Sequence, residues 1–445
     1  MKRFILALAA TTSMAAFQPA SAQSTDLGKA ISVDYDNKLE ALFLDFHRNP
    51  ELSYKETRTA AIMAKEWRAA GFEVTEKVGG TGVVAVMKNG DGPTLMLRAD
   101  MDGLPLVEDS GLDYMSTVTQ VSIDGQEKPV MHACGHDVHI TSLIGTGRQL
   151  AGMKDQWSGT LILIAQPAEE RIGGAKLMMD DGLYSRFPKP DYAMAFHVSS
   201  GVPTGKIAVD SGIASSSSDS VDIVVHGVGA HGASPHRGKD PIVMGAQIIM
   251  NLQTLVSREI APLKPGVVTV GSFHSGFKHN IISDKAEMQL TVRSDDENTR
   301  KKLLAGIKRI AENVGRMNGL PEDKLPEVKV SHESTPANYN DAPLTSRIKA
   351  LFGERFGGDV FHEEPREGMG AEDFAYFVAP NTDVPGVYFS VGGTPQADFD
   401  REKNGGAQVP SHHSPFFKVA PRESVTLGTE AMTAAALDLL APKTR

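Results

Sequence analysis

The stretch L-I-L-I-A-Q-P-A-E-E, residues 161–170, decides how this chain is read. Its first five residues form an unbroken apolar run, without the polar alternation of a half-buried strand. Runs of that length bounded by turn or polar residues belong to strands covered on both faces, as in a sheet packed between helices. The same pattern recurs at residues 83–87, 94–97 and 192–196, and again late in the chain at 387–391. Helical spacing at residues 34–49, 57–70, 139–150 and 174–179 alternates with these runs, and Gly71 supplies a stop after the second helix. The expectation is an α/β fold whose mixed sheet is covered by helices.

Within residues 216–334 the pattern changes. Residues 220–225, 267–273, 286–293 and 327–331 read as strands, and 241–259 and 299–314 as helices. The second helix carries Leu303, Leu304, Ile307, Ile310, Ala311 and Val314 at helical spacing. The order β-α-β-β-α-β is the split ferredoxin-like arrangement. The expected organisation is therefore a catalytic domain in two parts, residues 23–215 and 335–445, interrupted by an inserted domain at 216–334. The four serines at 215–218 are the nearest thing to a linker.

At the N-terminus, Lys2 and Arg3 precede an apolar run over residues 4–10, continued at 13–17, and A-S-A at 20–22 offers a cleavage site before Gln23. This reads as an export signal over residues 1–22 and implies a periplasmic or secreted protein. No later stretch approaches the ~20 apolar residues of a membrane span, so no membrane partner is expected. A net charge of −10 over 445 residues argues against a nucleic-acid partner, which requires a basic face.

Polar residues follow the apolar runs directly: Asp100 and Asp102 after the second, Glu169 and Glu170 after the third, His197 after the fourth. In open α/β sheets ligands collect at the carboxyl ends of strands, so these side chains can converge. The segment M-H-A-C-G-H-D-V-H, residues 131–139, joins them and holds the chain's one cysteine. A lone thiol forms no internal disulfide. The plain alternative is a small buried apolar residue, but Cys134 among histidines and an aspartate suits a first-row metal. Adjacent carboxylates at a buried strand end repel unless one meets a cation and the other a proton. Cys134, His136, Glu170, His197 and His413 would then offer mixed S/N/O ligands to two divalent metal ions. Zinc or manganese comes first, with cobalt or nickel also open. Glu169 would move a proton from water to a departing nitrogen.

These residues lie in motifs that resemble the metal-dependent amidohydrolase and carboxypeptidase superfamily, in its hippurate hydrolase and auxin–amino acid conjugate hydrolase branch. The motifs are H-R-N-P-E-L-S (47–53), R-A-D-M-D-G-L-P (98–105), H-A-C-G-H-D (132–137) and Q-P-A-E-E (166–170). G-V-G-A-H-G-A-S-P-H (227–236), G-A-E-D-F (370–374) and H-S-P (413–415) follow, and the likeness spans about residues 39–440. The resemblance implies that Cys134, His136, Glu170, His197 and His413 are the ligands and Glu169 the general base. It implies further that the inserted domain is a lid and forms a homodimer. His231 would be the lid histidine that polarises the scissile carbonyl, often in the partner's site, and Asn280 and Arg293 would hold the substrate carboxylate. Asp137, His139 and His236 would orient ligands or the lid.

The activity so implied is cleavage of the amide bond of N-acyl or N-aroyl amino acids or small peptides. Two other readings stay open: a hydrolase with Cys134 as nucleophile, and a non-catalytic periplasmic binding protein on the same fold. The loop at 109–128 is expected to border the cleft.

Overall fold

The computed structural model describes residues 20–363 and 365–442. Most of the segment expected to be an export signal, residues 1–19 of 1–22, lies outside the described residues.

In chain order, strands β1 to β6 are Glu73–Val78, Gly82–Asn89, Thr94–Asp100, Gly159–Gln166, Tyr192–Pro203 and Ile207–Ala208. Strands β7 to β10 are Ser217–His226, Gly266–Ser275, Lys285–Ser294 and Glu327–Thr335, and β11 is Gly386–Thr394. Helices α1 to α5 are Ala20–Asp34, Glu40–Arg48, Thr57–Ala69, His136–Gly152 and Gly174–Asp180. Helices α6 to α9 are Pro241–Thr254, Glu297–Met317, Ala342–Phe356 and Pro421–Leu439.

The larger sheet has seven strands in the order β1-β2-β4-β3-β5-β11-β6. Its centre, β4-β3-β5-β11, is parallel; β2 and β6 run antiparallel to their inner neighbours, and β1 antiparallel to β2. The unbroken run in β4 has the expected cause. Leu161, Leu163 and Ala165 join a core with Phe43, Trp67, Ile140 and Met432, whereas Ile162 and Ile164 join one with Met178, Phe374 and Phe377. Both faces are covered, so neither set of alternating side chains is polar. Helix α4 is buried along nearly its whole first three turns and packs against α9.

The smaller sheet is antiparallel throughout, in the order β8-β9-β7-β10. That is the ferredoxin-like order, and it is supplied wholly by the segment between β7 and β10. In β9, K-A-E-M-Q-L-T-V-R-S, every second residue is buried. Met288, Leu290 and Val292 pack with Ile248 of α6 and Leu303 and Ile307 of α7. The serines at 215–218 are no exposed linker. All four are buried in or between strands: the Ser217 and Ser294 hydroxyls hydrogen-bond at 2.8 Å, the Ser216 hydroxyl donates to Asp295 at 2.6 Å, and the Ser216 amide donates to the Gly370 carbonyl at 2.8 Å. Among the described residues no helix is long and apolar enough to cross a membrane.

Candidate metal centre

The site lies where the parallel strands end. β3 and β4 finish side by side, Asp100 opposite Gln166, and His197 sits in β5 opposite Ser390 of β11. The loop before α4 brings in Cys134, and His136 opens the helix. Between them Gly135 takes φ +81°, and a Cβ there would stand 2.3 Å from Val198 Cγ1. A left-handed turn with no room for a side chain requires glycine.

Hydrogen bonds orient each ring. His136 Nδ1 donates to the Asp102 carbonyl at 2.7 Å, which leaves Nε2 facing inward. That atom is 3.8 Å from Asp100 Oδ2 and 3.9 Å from both Glu169 Oε2 and Glu170 Oε1. Neither His136 Nε2 nor Glu170 Oε1 has a hydrogen-bond partner among the described residues, although both are buried. His197 Nδ1 donates to the Val198 carbonyl at 2.7 Å, and its Nε2 lies 3.3 Å from Cys134 Sγ. The sulfur belongs to two ligand triples whose atoms lie within 4.8 Å of one another: Cys134, His136 and Glu170, and Cys134, His197 and His412. His413 stands at the edge, its Nε2 3.4 Å from Glu170 Oε2 and its side chain 55% exposed. Its backbone is held at φ +61° while its amide donates to the Ala133 carbonyl at 2.9 Å. The sequence points to His413 rather than its neighbour; His412 Nε2 accepts the Ser200 amide at 3.1 Å, while its Nδ1 is buried without a partner among the described residues.

The Glu169–Glu170 turn is anchored from beneath. Asp102 accepts the Glu169 and Glu170 amides at 3.0 Å each and the Ser53 hydroxyl at 2.6 Å. Glu56 accepts the Ala168 amide at 2.8 Å. Arg98, fully buried, donates to Gln166 at 2.8 Å, Asp100 at 2.6 Å and Glu372 at 2.7 Å. Asp373 accepts from Gln166 at 2.6 Å and from the Ala175 amide at 3.0 Å. The motif G-A-E-D-F marks Glu372 and Asp373, but their partners Arg98 and Gln166 lie far off in the chain, so the sequence alone assigns them no task.

His139 has no free nitrogen: Nε2 accepts the Val198 amide at 2.9 Å, so Nδ1 donates to Asp100 at 2.6 Å. Asp137 pairs with His47 at 2.6 Å. Both therefore orient the segment that carries Cys134 and His136. His236 is exposed.

Negative charge dominates the cluster. Burial, then Glu372 and Glu170, push the Glu169 carboxyl well above the usual range, and burial lifts Glu170 to about 8 against the pull of His136. Burial would depress His136, but Asp100, the hydrogen bond to Asp102 and the charge of Glu170 raise it to about 10. Six carboxyl groups (Asp100, Asp102, Glu169, Glu170, Glu372 and Asp373) crowd the cluster, of which Asp100, Glu372 and Asp373 meet the Arg98 guanidinium, and unpartnered N and O atoms point at one another beside a thiol. Such a set attracts cations, and its S/N/O chemistry fits borderline-soft divalent metals.

The remaining predicted residues lie on the inserted segment. His231 is exposed, its Nδ1 accepting the Ala233 amide at 3.0 Å, and it pairs in a short ribbon with Ile281. Asn280 is beside it, its carbonyl accepting the Gly232 amide at 2.8 Å and its side-chain oxygen buried without a partner among the described residues. Arg293 lies apart from these two, half-buried, with Nη1 donating to the Met369 carbonyl at 3.4 Å near Glu372. The loop at 109–128 is a hairpin, Thr119–Val121 against Glu127–Pro129, tied to the rest by Gln120, which accepts the Leu52 amide at 2.7 Å.

A family model described as peptidase family M20/M25/M40 matches residues 96–437. The chain is 39% identical over 374 residues to thermostable carboxypeptidase 2 of Saccharolobus solfataricus, covering 83% of this chain and 88% of that one. It is 37% identical over 350 residues to hippurate hydrolase of Campylobacter jejuni, covering 78% and 86%. Among solved structures it is similar to the Bacillus subtilis YXEP protein, described as a dinuclear metal binding peptidase from the M20 family. The TM-score is 0.72 at 26% identity, over 93% of this chain and 99% of that one.

Proposed function

The chain belongs to peptidase family M20/M25/M40 and is a metal-dependent hydrolase of amides or peptides; we propose that it is a secreted, binuclear member cleaving N-acyl or N-aroyl amino acids or small peptides. One observation carries this reading: His136 Nε2 and Glu170 Oε1, both buried and unpartnered among the described residues, stand 3.9 Å apart where Cys134 joins two ligand triples. Cys134, His136, Glu170, His197 and His413 would hold the two ions. When bound, the metals supply Lewis acidity that lowers the pKa of water and polarises the scissile carbonyl.

The protein's own groups do the rest. Glu169 lies among its carboxylate neighbours in a setting that favours a proton, so it takes one from the attacking water and delivers it to the departing amine. Asp102 keeps Glu169 and Glu170 in place through their amides. His231, presented on the inserted ribbon with Asn280, would stabilise the developing oxyanion in an active site, the partner's included, within a homodimer formed through the inserted domain. Arg293 would bind the substrate carboxylate as a fork of donors, and Asn280, apart from it in the same chain, would join it from the partner's inserted ribbon together with His231. The export signal at residues 1–22 supports a periplasmic or extracellular location.

A thiol nucleophile is disfavoured: burial, then the charges of Glu170 and Glu169, push the Cys134 thiol well above its usual range, the reverse of an activated cysteine. The test is metal stoichiometry of the mature protein after exposure to zinc, manganese, cobalt or nickel. About two ions per chain, falling on Cys134→Ala, with chelation abolishing hydrolysis of N-benzoyl amino acids, is the expected result. No bound metal under any condition would reject the proposal.

A further inference from the structure

The turn that carries Glu169 and Glu170 is strained on both flanks. Ala168 has φ +49° and Ile172 has φ +52°. A left-handed conformation is unfavourable for a residue with a Cβ and suits a β-branched side chain least. Such backbone persists only where its surroundings over-determine it. Two anchors come from the catalytic sheet's side, the Asp102 and Glu56 carboxylates under the turn's amides. Internal bonds add to these: the Ile172 amide donates to the Glu169 carbonyl at 2.7 Å, and the Gly173 and Gly174 amides to the Ala168 carbonyl at 3.3 and 3.2 Å.

A further anchor comes from elsewhere. Arg171, the residue directly after Glu170, donates from Nε to Glu333 Oε1 at 2.7 Å and from Nη2 to the same oxygen. Glu333 lies in β10, the edge strand of the inserted sheet. Beside it the Tyr376 hydroxyl, from the segment after Glu372, donates to the Ser334 carbonyl at 2.6 Å. With side chains 40% and 26% exposed, the Arg171–Glu333 pair adds little to overall stability. Its weight lies in where it pulls. A movement of β10 acts on a backbone already away from its preferred conformation, one residue from Glu170 and two from Glu169.

We propose that Arg171 and Glu333 are positioning residues that couple the placement of the inserted sheet to the geometry of the Glu169–Glu170 turn. The consequence for hydrolysis rests on the roles given above to Glu169 and Glu170; the coupling itself does not. With the inserted sheet seated, the turn is held from both sides. With it displaced, the turn keeps its lower anchors and relaxes on the flank of Ile172.

The experiment uses the full-length, metal-loaded protein and four variants: Arg171→Glu, Glu333→Arg, the two combined, and the milder Glu333→Gln. Hydrogen–deuterium exchange over residues 168–174 reads the turn directly, and kcat and KM on an N-benzoyl amino acid read its effect. Each single reversal is expected to raise exchange in the turn about two- to fivefold, with thermal midpoint and metal content unchanged. It should lower kcat by about three- to tenfold while KM stays within about twofold, because positioning rather than binding is lost. The combined swap should return both toward the parent, and Glu333→Gln should fall between. Single reversals that exchange at the parental rate overturn the proposal. So does a combined swap no better than the worse single. A parent that hydrolyses no amide would defeat the functional reading, and the exchange data would still decide the coupling.

Discussion

Asp102 spends its whole polar capacity on other groups: its carbonyl fixes the His136 ring while its carboxylate takes two amides and a serine hydroxyl. An amide in its place would present one donor to groups that themselves donate. Asp102→Asn is therefore expected to weaken metal affinity by about 10–100-fold, read by competition with a chelating dye, while the thermal midpoint moves little. His47 offers a pH test. Burial would lower its pKa, but hydrogen bonds to Asp137 at 2.6 Å and Glu108 at 3.1 Å raise it to about 9. A folded-state pKa above the unfolded value of about 6.5 gives stability that is complete below pH 6.5 and lost as pH rises through 9, on the order of 3 kcal/mol. The thermal midpoint of the parent should approach that of His47→Gln across that window; a gap that widens instead would refute the assignment. At this scale the grouping of Cys134 with His136 is legible because the two stand in one short stretch of sequence. Arg98 is not, since its partner Glu372 arrives from the far end of the chain and no local pattern announces it.

Elements were legible in proportion to their burial pattern. β4 announced itself because both faces are apolar, and the inserted strands because one face is. The edge strand β1, E-V-T-E-K-V, is mostly exposed and charged, as an edge must be to avoid pairing with another chain, so it carries almost no periodic signal. Helix α9 was passed over for the opposite reason. Its buried face is mostly Ala, Thr, Ser and Gly, which permit a close approach to α4, and Val425, Met432 and Leu439 are too widely spaced among them to make a strong apolar stripe. Helix α4 begins at His136, three residues earlier than periodicity suggested, because its first turn is occupied by site chemistry rather than by packing. Gly135→Ala tests that junction. The positive φ costs about 1 kcal/mol and the clash with Val198 about 1–3 kcal/mol, so the variant should melt earlier and bind metal below stoichiometry. A variant with full metal content and the parental melting temperature would show that the turn tolerates a side chain.

Across the whole molecule, His231 lies exposed on the inserted ribbon rather than within the cluster, which leaves its proposed role to a neighbouring protomer or to movement of the insert. The two differ in a mixing experiment. Glu169→Gln and His231→Ala proteins, each inactive, should recover roughly a quarter of parental activity when combined under exchange if the histidine serves a partner's site. Recovery of none would assign it to its own chain. β11 lies between β5 and β6, with Val387 opposite Met194 and Val391 opposite Ile207, so the last strand in the sequence is slotted just inside the edge of a sheet begun long before it. A nascent chain can complete the insertion early, whereas the rim where Cys134, His197 and His413 meet must wait for the ribosome to finish. Assembly order then keeps an unfinished polypeptide from acting as a hydrolase.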